Sequence, residues 1–232
     1  MLSDFQLDMQ RPHVIGVVND AASLAAAQAL EAGEGVDVIE LRLDAFEALG
    51  TLEALRATLP GLRLPLLITA RHPAEGGYGN LSAERREEIL HSFLPVCELM
   101  DLELRSTQEL PGLISQARHL DKVVVLSFHD FHGMPRVDIM EDLAIEALQR
   151  GAHIFKAALT VNDLPALTRL LRFAEKGTRL PLALMGMGHF GKVSRLIMAQ
   201  HGSVLNYGSL GGDPVPGQWD ARTFAERLRE VS

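Results

Sequence analysis

The sequence predicts an α/β chain folded as a (β/α)8, or TIM, barrel, and three observations carry that prediction. Short apolar runs rich in Val, Ile and Leu alternate with longer segments rich in Ala, Leu, Glu and Arg, the pattern of parallel strands joined by crossover helices. Eight such runs can be counted along the chain. Spread over 232 residues they leave about 29 residues per unit, near the minimum for this barrel and regular enough to favour closure over a doubly wound open sheet, the structural alternative.

The strand candidates are, in order, residues 13–19, 36–41, 65–70, 97–104, 122–128, 153–159, 181–187 and 203–208. Helical periodicity and composition occupy 20–52 with the second strand inside, then 82–94, 107–119, 138–150, 163–175, 191–200 and 220–230. Start signals stand at Ser82 with Arg85 after it, Thr107, Asp138 and Asp163, side chains able to accept from the free N–H groups of a first helical turn. No Pro/Gly/Ser linker or low-complexity tract divides the chain, so residues 1–232 are expected to form one barrel domain.

Composition excludes several classes. With 22 Lys and Arg against 30 Asp and Glu the net charge is −8, which argues against nucleic acid as the main partner because phosphate neutralisation needs a basic face. A hydrophobic share of 47% and a charged share of 22% are those of a globular protein, and no apolar run approaches the ~20 residues of a membrane span. One cysteine, Cys97, builds neither a disulfide framework nor a cysteine-rich metal site. The N-terminal residues 1–13 are acidic and lack a signal-peptide apolar core. The expectation is a cytoplasmic protein acting on a small molecule.

Active sites of (β/α)8 barrels gather at the C-terminal ends of the strands, and the polar residues obey that rule. Glu40 and Arg42 close the second run, Arg71 and Glu75 follow the third, and Asp101 and Glu103 lie late in the fourth. His129 and Asp130 follow the fifth, Lys156 lies in the sixth, Arg195 follows the seventh and Gln218 follows the eighth. Lys156 stands in GAHIFKAALTV, where desolvation would disfavour the ammonium and favour the free amine, the form that attacks a carbonyl. The alternative for Lys156 is a purely structural pair with a buried carboxylate such as Glu40 or Glu103. His129 can take and return a proton near neutrality. Asp130 and His132 share its loop, but no second cluster at ligand spacing completes a metal site, and none is expected. Arg42, Arg71 and Arg195 carry guanidinium forks suited to a carboxylate or phosphate, or else to pairing with Glu40, Glu75 and Asp44. GMGHFG at 186–191 is formally G-x-G-x-x-G but a weak dinucleotide signal in the seventh unit. With GSLGG at 208–212 it leaves a ligand-admitting loop or a phosphate site open.

Seven motifs in order resemble the type I 3-dehydroquinate dehydratases, the Schiff-base enzymes of the shikimate pathway. They are ELRLD at 40–44, TARHPAEGG at 69–77, DLEL at 101–104, SFHDFHGMP at 127–135, FKAAL at 155–159, MGMGHFGKVSRL at 185–196 and YGSLGGDPVPGQ at 207–218. The resemblance implies dehydration of 3-dehydroquinate to 3-dehydroshikimate by syn elimination through an imine on Lys156. It implies that His129 moves the proton and that Glu75 orients the imidazole. It further implies that Glu40, Arg42 and Arg71 hold ring hydroxyls, Arg195 the carboxylate, and Gln218 a closing loop. Met185 and Met187 would line the ring, with Phe131 and Tyr207 as an aromatic wall. No metal or organic cofactor is implied, and the partner expected besides substrate is a second copy in a homodimer, for which Ala- and Leu-rich outer helices such as 21–30 leave room. Two departures stand out: Pro214 occupies the place of a serine that contacts ligand in many members, and Thr160-Val161 replaces the Met-Pro that usually follows the lysine's strand. The alternatives are a Schiff-base aldolase acting on a sugar phosphate and a non-catalytic sensor of shikimate-pathway metabolites.

Overall fold

A computed structural model of the chain describes residues 6–211 and 217–231. Eight strands alternate with helices: β1 His13–Val18, β2 Val38–Arg42, β3 Leu66–Thr69, β4 Leu99–Glu103, β5 Val123–Asp130, β6 Ile154–Thr160, β7 Leu182–Met187 and β8 Leu205–Ser209. All pair in parallel, and the sheet runs β7-β6-β5-β4-β3-β2-β1-β8. The two end strands meet where Val204 N–H donates to Leu182 O (2.8 Å) and Leu184 N–H to Ser203 Oγ (3.0 Å), so the sheet curls into a nearly closed barrel. Around it lie α1 Ala21–Gln28, α2 Leu43–Ala48, α3 Leu52–Thr58, α4 Ala83–Phe93, α5 Pro111–His119, α6 Val137–Gln149, α7 Leu164–Lys176, α8 Gly191–Gln200 and α9 Ala221–Val231.

The period of two along each strand creates two separate cores. Outward residues such as Ile39, Leu41, Ile68, Met100, Leu102, Leu126, Phe155 and Leu159 pack against the helices with Phe46, Phe93, Phe173 and Phe224. Inward residues Ile15, Val38, Leu67, Leu99, Val125, Ile154 and Leu205 fill the N-terminal half of the barrel. Two residues further along β2 to β6 the inward positions become Glu40, Thr69, Asp101, Ser127 and Lys156, all buried. The switch from apolar to ionisable inside the barrel is what puts the chemistry at the C-terminal end of the strands.

Ser82 and Asp163 cap α4 and α7, accepting from Arg85 N–H (3.3 Å) and Ala166 N–H (2.7 Å). Thr107 and Asp138 do not cap. Thr107 ends a short 3-10 turn before Pro111 opens α5, and Asp138 lies within the first turn of α6 behind Arg136. A capping box at Asp20 and Ser23 opens α1. β5 extends through His129 and Asp130, which therefore belong to the strand and not to the loop after it. Among the described residues no helix is long and apolar enough to cross a membrane.

Phe155 is fully buried between β6 and the helices. Phe155→Ala should lower the unfolding free energy by about 3–5 kcal/mol in urea titrations, against about 1 kcal/mol for Asp163→Ala, which loses only a cap. Equal costs for the two would contradict this division of the core.

Candidate active site

Lys156 points into the barrel because β6 alternates: Phe155 and Ala157 face the helices, Ile154 and Ala158 the interior. Its surroundings are not the apolar ones its chain neighbours imply. Nζ donates to Asp101 Oδ2 at 2.8 Å and lies 3.7 Å from Glu40 Oε1. The Tyr207 ring centroid is 3.8 Å away, a cation–π contact. The charged neighbours thus include Glu40, as the structural alternative foresaw, while Asp101 takes the place of Glu103. Asp101 is fully buried, and burial alone would raise its pKa. Arg71 and Lys156 outweigh that and hold it well below the usual carboxylate range.

Arg71 Nη1 donates to Asp101 Oδ1 (3.0 Å), Glu103 Oε1 (2.9 Å) and Ser127 Oγ (2.6 Å). It is thus tied into the barrel rather than paired with Glu75. Thr69 Oγ1 donates to Glu40 Oε1 at 2.7 Å. Arg42 pairs with Asp44 through both arms of its fork, at 3.1 and 2.9 Å, and donates to Gly76 O. Asp44 also accepts from Tyr78 N–H (2.9 Å), so this pair pins the loop that carries Glu75.

Glu75 Oε2 accepts from His129 N–H (3.1 Å) and lies 2.9 Å from His129 Nδ1. An oxygen already accepting from the backbone is best served by an Nδ1–H donor, which leaves Nε2 as the free lone pair. Burial, Arg71 and Lys156 all push the imidazole well below its usual value, so it is neutral at pH 7. Burial and the nearby Glu103 push Glu75 up to about 7.

Arg195 reaches from α8 into the barrel mouth, donating to Gly186 O (3.2 Å) and Tyr207 O (2.8 Å). Its described partners are backbone carbonyls and not carboxylates, and burial alone pulls it down to about 10. Met185 lies in the inner core with Met187 packed against it. Phe131 sits at the rim, 49% exposed, over Gly76. Gln218 is half-buried at the start of the described segment after β8, and Pro214 lies outside the described residues. Val161 N–H donates to Met187 O (2.9 Å), a bond that a proline there would lack.

The glycines of 186–191 make room for neighbouring protein groups. Gly188 has φ +76° against Asn162, and a side chain at Gly191 would collide with the Gly217 backbone, so the loops after β7 and β8 close on each other. Asp130 Oδ1 accepts from His132 N–H (2.8 Å) and Gly133 N–H (3.2 Å), shaping its own loop. In the sequence Asp101 stands only as a residue late in a strand, and Glu103 as that and as a candidate partner of Lys156. Their shared parity with Leu99 was the signal that both enter the barrel.

Fold and site define a (β/α)8 barrel with a carboxylate-paired lysine and a carboxylate-oriented imidazole at the C-terminal end of its strands. The family model described as type I 3-dehydroquinase matches residues 14–231. The 3-dehydroquinate dehydratase of Methanothrix thermoacetophila is 30% identical over 223 residues, covering 96% of this chain and 93% of that protein. The catabolic 3-dehydroquinate dehydratase of Acinetobacter baylyi is 29% identical over 90% of this chain and 81% of its own. The crystal structure of the 3-dehydroquinate dehydratase from Aquifex aeolicus superposes with a TM-score of 0.74 at 28% identity, covering 94% of this chain and 98% of that one. The chain belongs to the type I 3-dehydroquinase family.

Because the folded protein holds the Glu75 proton more tightly than the unfolded chain, this group stabilises the fold fully below about pH 4.5 and loses that contribution as pH rises through about 7. The rise from 4.5 to about 7 corresponds to on the order of 3 kcal/mol. Glu75→Gln should therefore gain stability relative to the wild type between about pH 5 and about pH 8 in urea unfolding. A wild-type-minus-variant difference that stays constant with pH would contradict the assignment.

Proposed function

We propose that the protein dehydrates 3-dehydroquinate to 3-dehydroshikimate through an imine on Lys156. The observation that carries the reading is the Lys156 ammonium held by Asp101 at 2.8 Å in a barrel of this family. The Lys156 amine adds to the ketone carbon and water leaves, forming a C=N bond. Protonated, that imine carries the same positive charge at the same nitrogen as the ammonium it replaces. Asp101 and Glu40 are therefore already placed to keep it protonated, with no reorganisation at the moment of reaction. A protonated imine draws electrons more strongly than a ketone, which acidifies the adjacent C–H.

His129, neutral and held through Nδ1 by Glu75, takes that proton at Nε2. The C–H electron pair becomes a C=C bond as the C=N π pair moves onto nitrogen, giving an enamine; the nitrogen pair then re-forms C=N and the C=C pair expels the hydroxyl, which leaves as water with the proton that His129 delivers. Hydrolysis of the imine releases the product and restores the amine, so the net change is loss of one water. Arg195, buried without an acidic partner among the described residues, is suited to the substrate carboxylate. Glu40, Arg42 and Arg71 are assigned to the ring hydroxyls, Met185, Met187, Phe131 and Tyr207 to the walls, and Gln218 to the cover. The reading includes a cytoplasmic homodimer: the family resemblance supports both, and the exposed Ile139, Ile145 and Leu148 on α6 offer apolar surface to a second copy.

The conjugated product absorbs in the ultraviolet, so mixing protein with 3-dehydroquinate should give a steady absorbance rise. Lys156→Ala should lower kcat by about 10³-fold or more, and His129→Ala by about 10²–10⁴-fold, without unfolding the protein. A flat wild-type trace would overturn the function, and near-normal turnover in Lys156→Ala would overturn the imine.

A further inference from the structure

Glu103 is fully buried, yet four groups donate to it. Oε1 accepts from Arg71 Nη1 and from His72 N–H, both at 2.9 Å. Oε2 accepts from Ser106 Oγ at 2.7 Å and from Arg86 Nη2. Arg86 comes from α4 in the helix layer, is itself fully buried, and also donates through Nε to Ala70 O (2.8 Å). The Arg86–Glu103 pair therefore grips the chain on both sides of Arg71, at the carbonyl before it and the N–H after it. From this pair two arms run inward. One alternates in charge, from Glu103 to Arg71 to Asp101 to Lys156. The other follows the chain from His72 to Glu75, whose carboxylate holds His129.

We propose that Glu103, clamped by Arg86, is the positioning residue of the active site, setting the lysine arm and the imidazole arm together; this rests on the dehydratase reading above. Stability alone does not account for the pair, because a buried ion pair is often matched or bettered by apolar residues of the same volume. Its position at the root of both arms does account for it. The groups facing Glu75 are Glu103 and Asp101 from β4, Arg71 from the end of β3 and His129 from β5. Of these, Glu103 is the largest charged contributor to the raised Glu75 pKa.

The test uses Glu103→Gln and the double variant Arg86→Gln/Glu103→Gln, which removes both charges together so that neither is left buried and unpaired. The Glu75 carboxyl is titrated by carbon NMR without substrate, and kcat and KM are measured with 3-dehydroquinate. In both variants Glu75 should titrate about one pH unit lower than in the wild type. Misplacement of both arms should lower kcat about tenfold to a hundredfold with KM changed less than about threefold. Folded variants with an unmoved Glu75 midpoint and unchanged kcat would overturn the proposal. Loss of the folded state in both would also overturn it, by assigning the pair to the fold alone. A shifted midpoint in both variants, with a wild type that never turns over 3-dehydroquinate, would leave the positioning of Glu75 standing and sink the dehydratase reading.

Discussion

A lysine ammonium at the centre of a barrel, 3% exposed, has to be compensated by acids that are themselves buried, and those acids by further cations. The Lys156–Asp101 pair sets this chain of requirements in motion. Asp101 needs Arg71, Arg71 needs Glu103, and Glu103 needs Arg86 from the helix layer. Arg86, Arg71 and Lys156 face Glu103, Asp101 and Glu40, so the positive and negative charges match one for one. The barrel supplies what such a network requires, inward positions on neighbouring parallel strands at fixed register, with Thr69 opposite Asp101 and Ser127 opposite Lys156.

The same network makes the imidazole useful. Burial, Arg71 and Lys156 hold His129 neutral, while burial and Glu103 hold Glu75 reluctant to ionise. Together they keep a neutral base, oriented through one nitrogen, beside a lysine whose charge is already compensated. Arg195 differs from Arg42, Arg71 and Arg86 because its described partners are backbone carbonyls and not acids. A buried cation left in that condition costs folding energy, and an anionic ligand would relieve it.

Fold class was legible in the sequence because alternation of apolar strands with longer helical segments survives errors in any single boundary. Residues 191–200 and α8 coincide, whereas Thr107 and Asp138 misled because a 3-10 turn and Pro111 moved one helix start and Arg136 took the N-cap position of the other. Lys156, His129 and Glu75 were legible by motif. The partner of Lys156 was not: GAHIFKAALTV reads as an apolar setting, but every second residue faces away from the barrel, and the acid that meets the ammonium, Asp101, comes from a strand 55 residues away in sequence. The outermost member of the network, Arg86, was silent for the same reason, since nothing in a helix marked by ERREE tells which arginine turns inward. Of the glycines at 186–191, Gly191 is a site of close backbone approach, while Gly186 and Gly188 make room for the side chains of Ser194 and Asn162.

In the proposed reaction this network readies Lys156, alone among the lysines, for carbon–nitrogen bond formation. The most direct measurement is borohydride reduction of the protein during turnover of 3-dehydroquinate, followed by peptide mass mapping. One reduced adduct is expected, on Lys156. An adduct on Lys122, Lys176 or Lys192, or turnover with no trapped adduct anywhere, would contradict it.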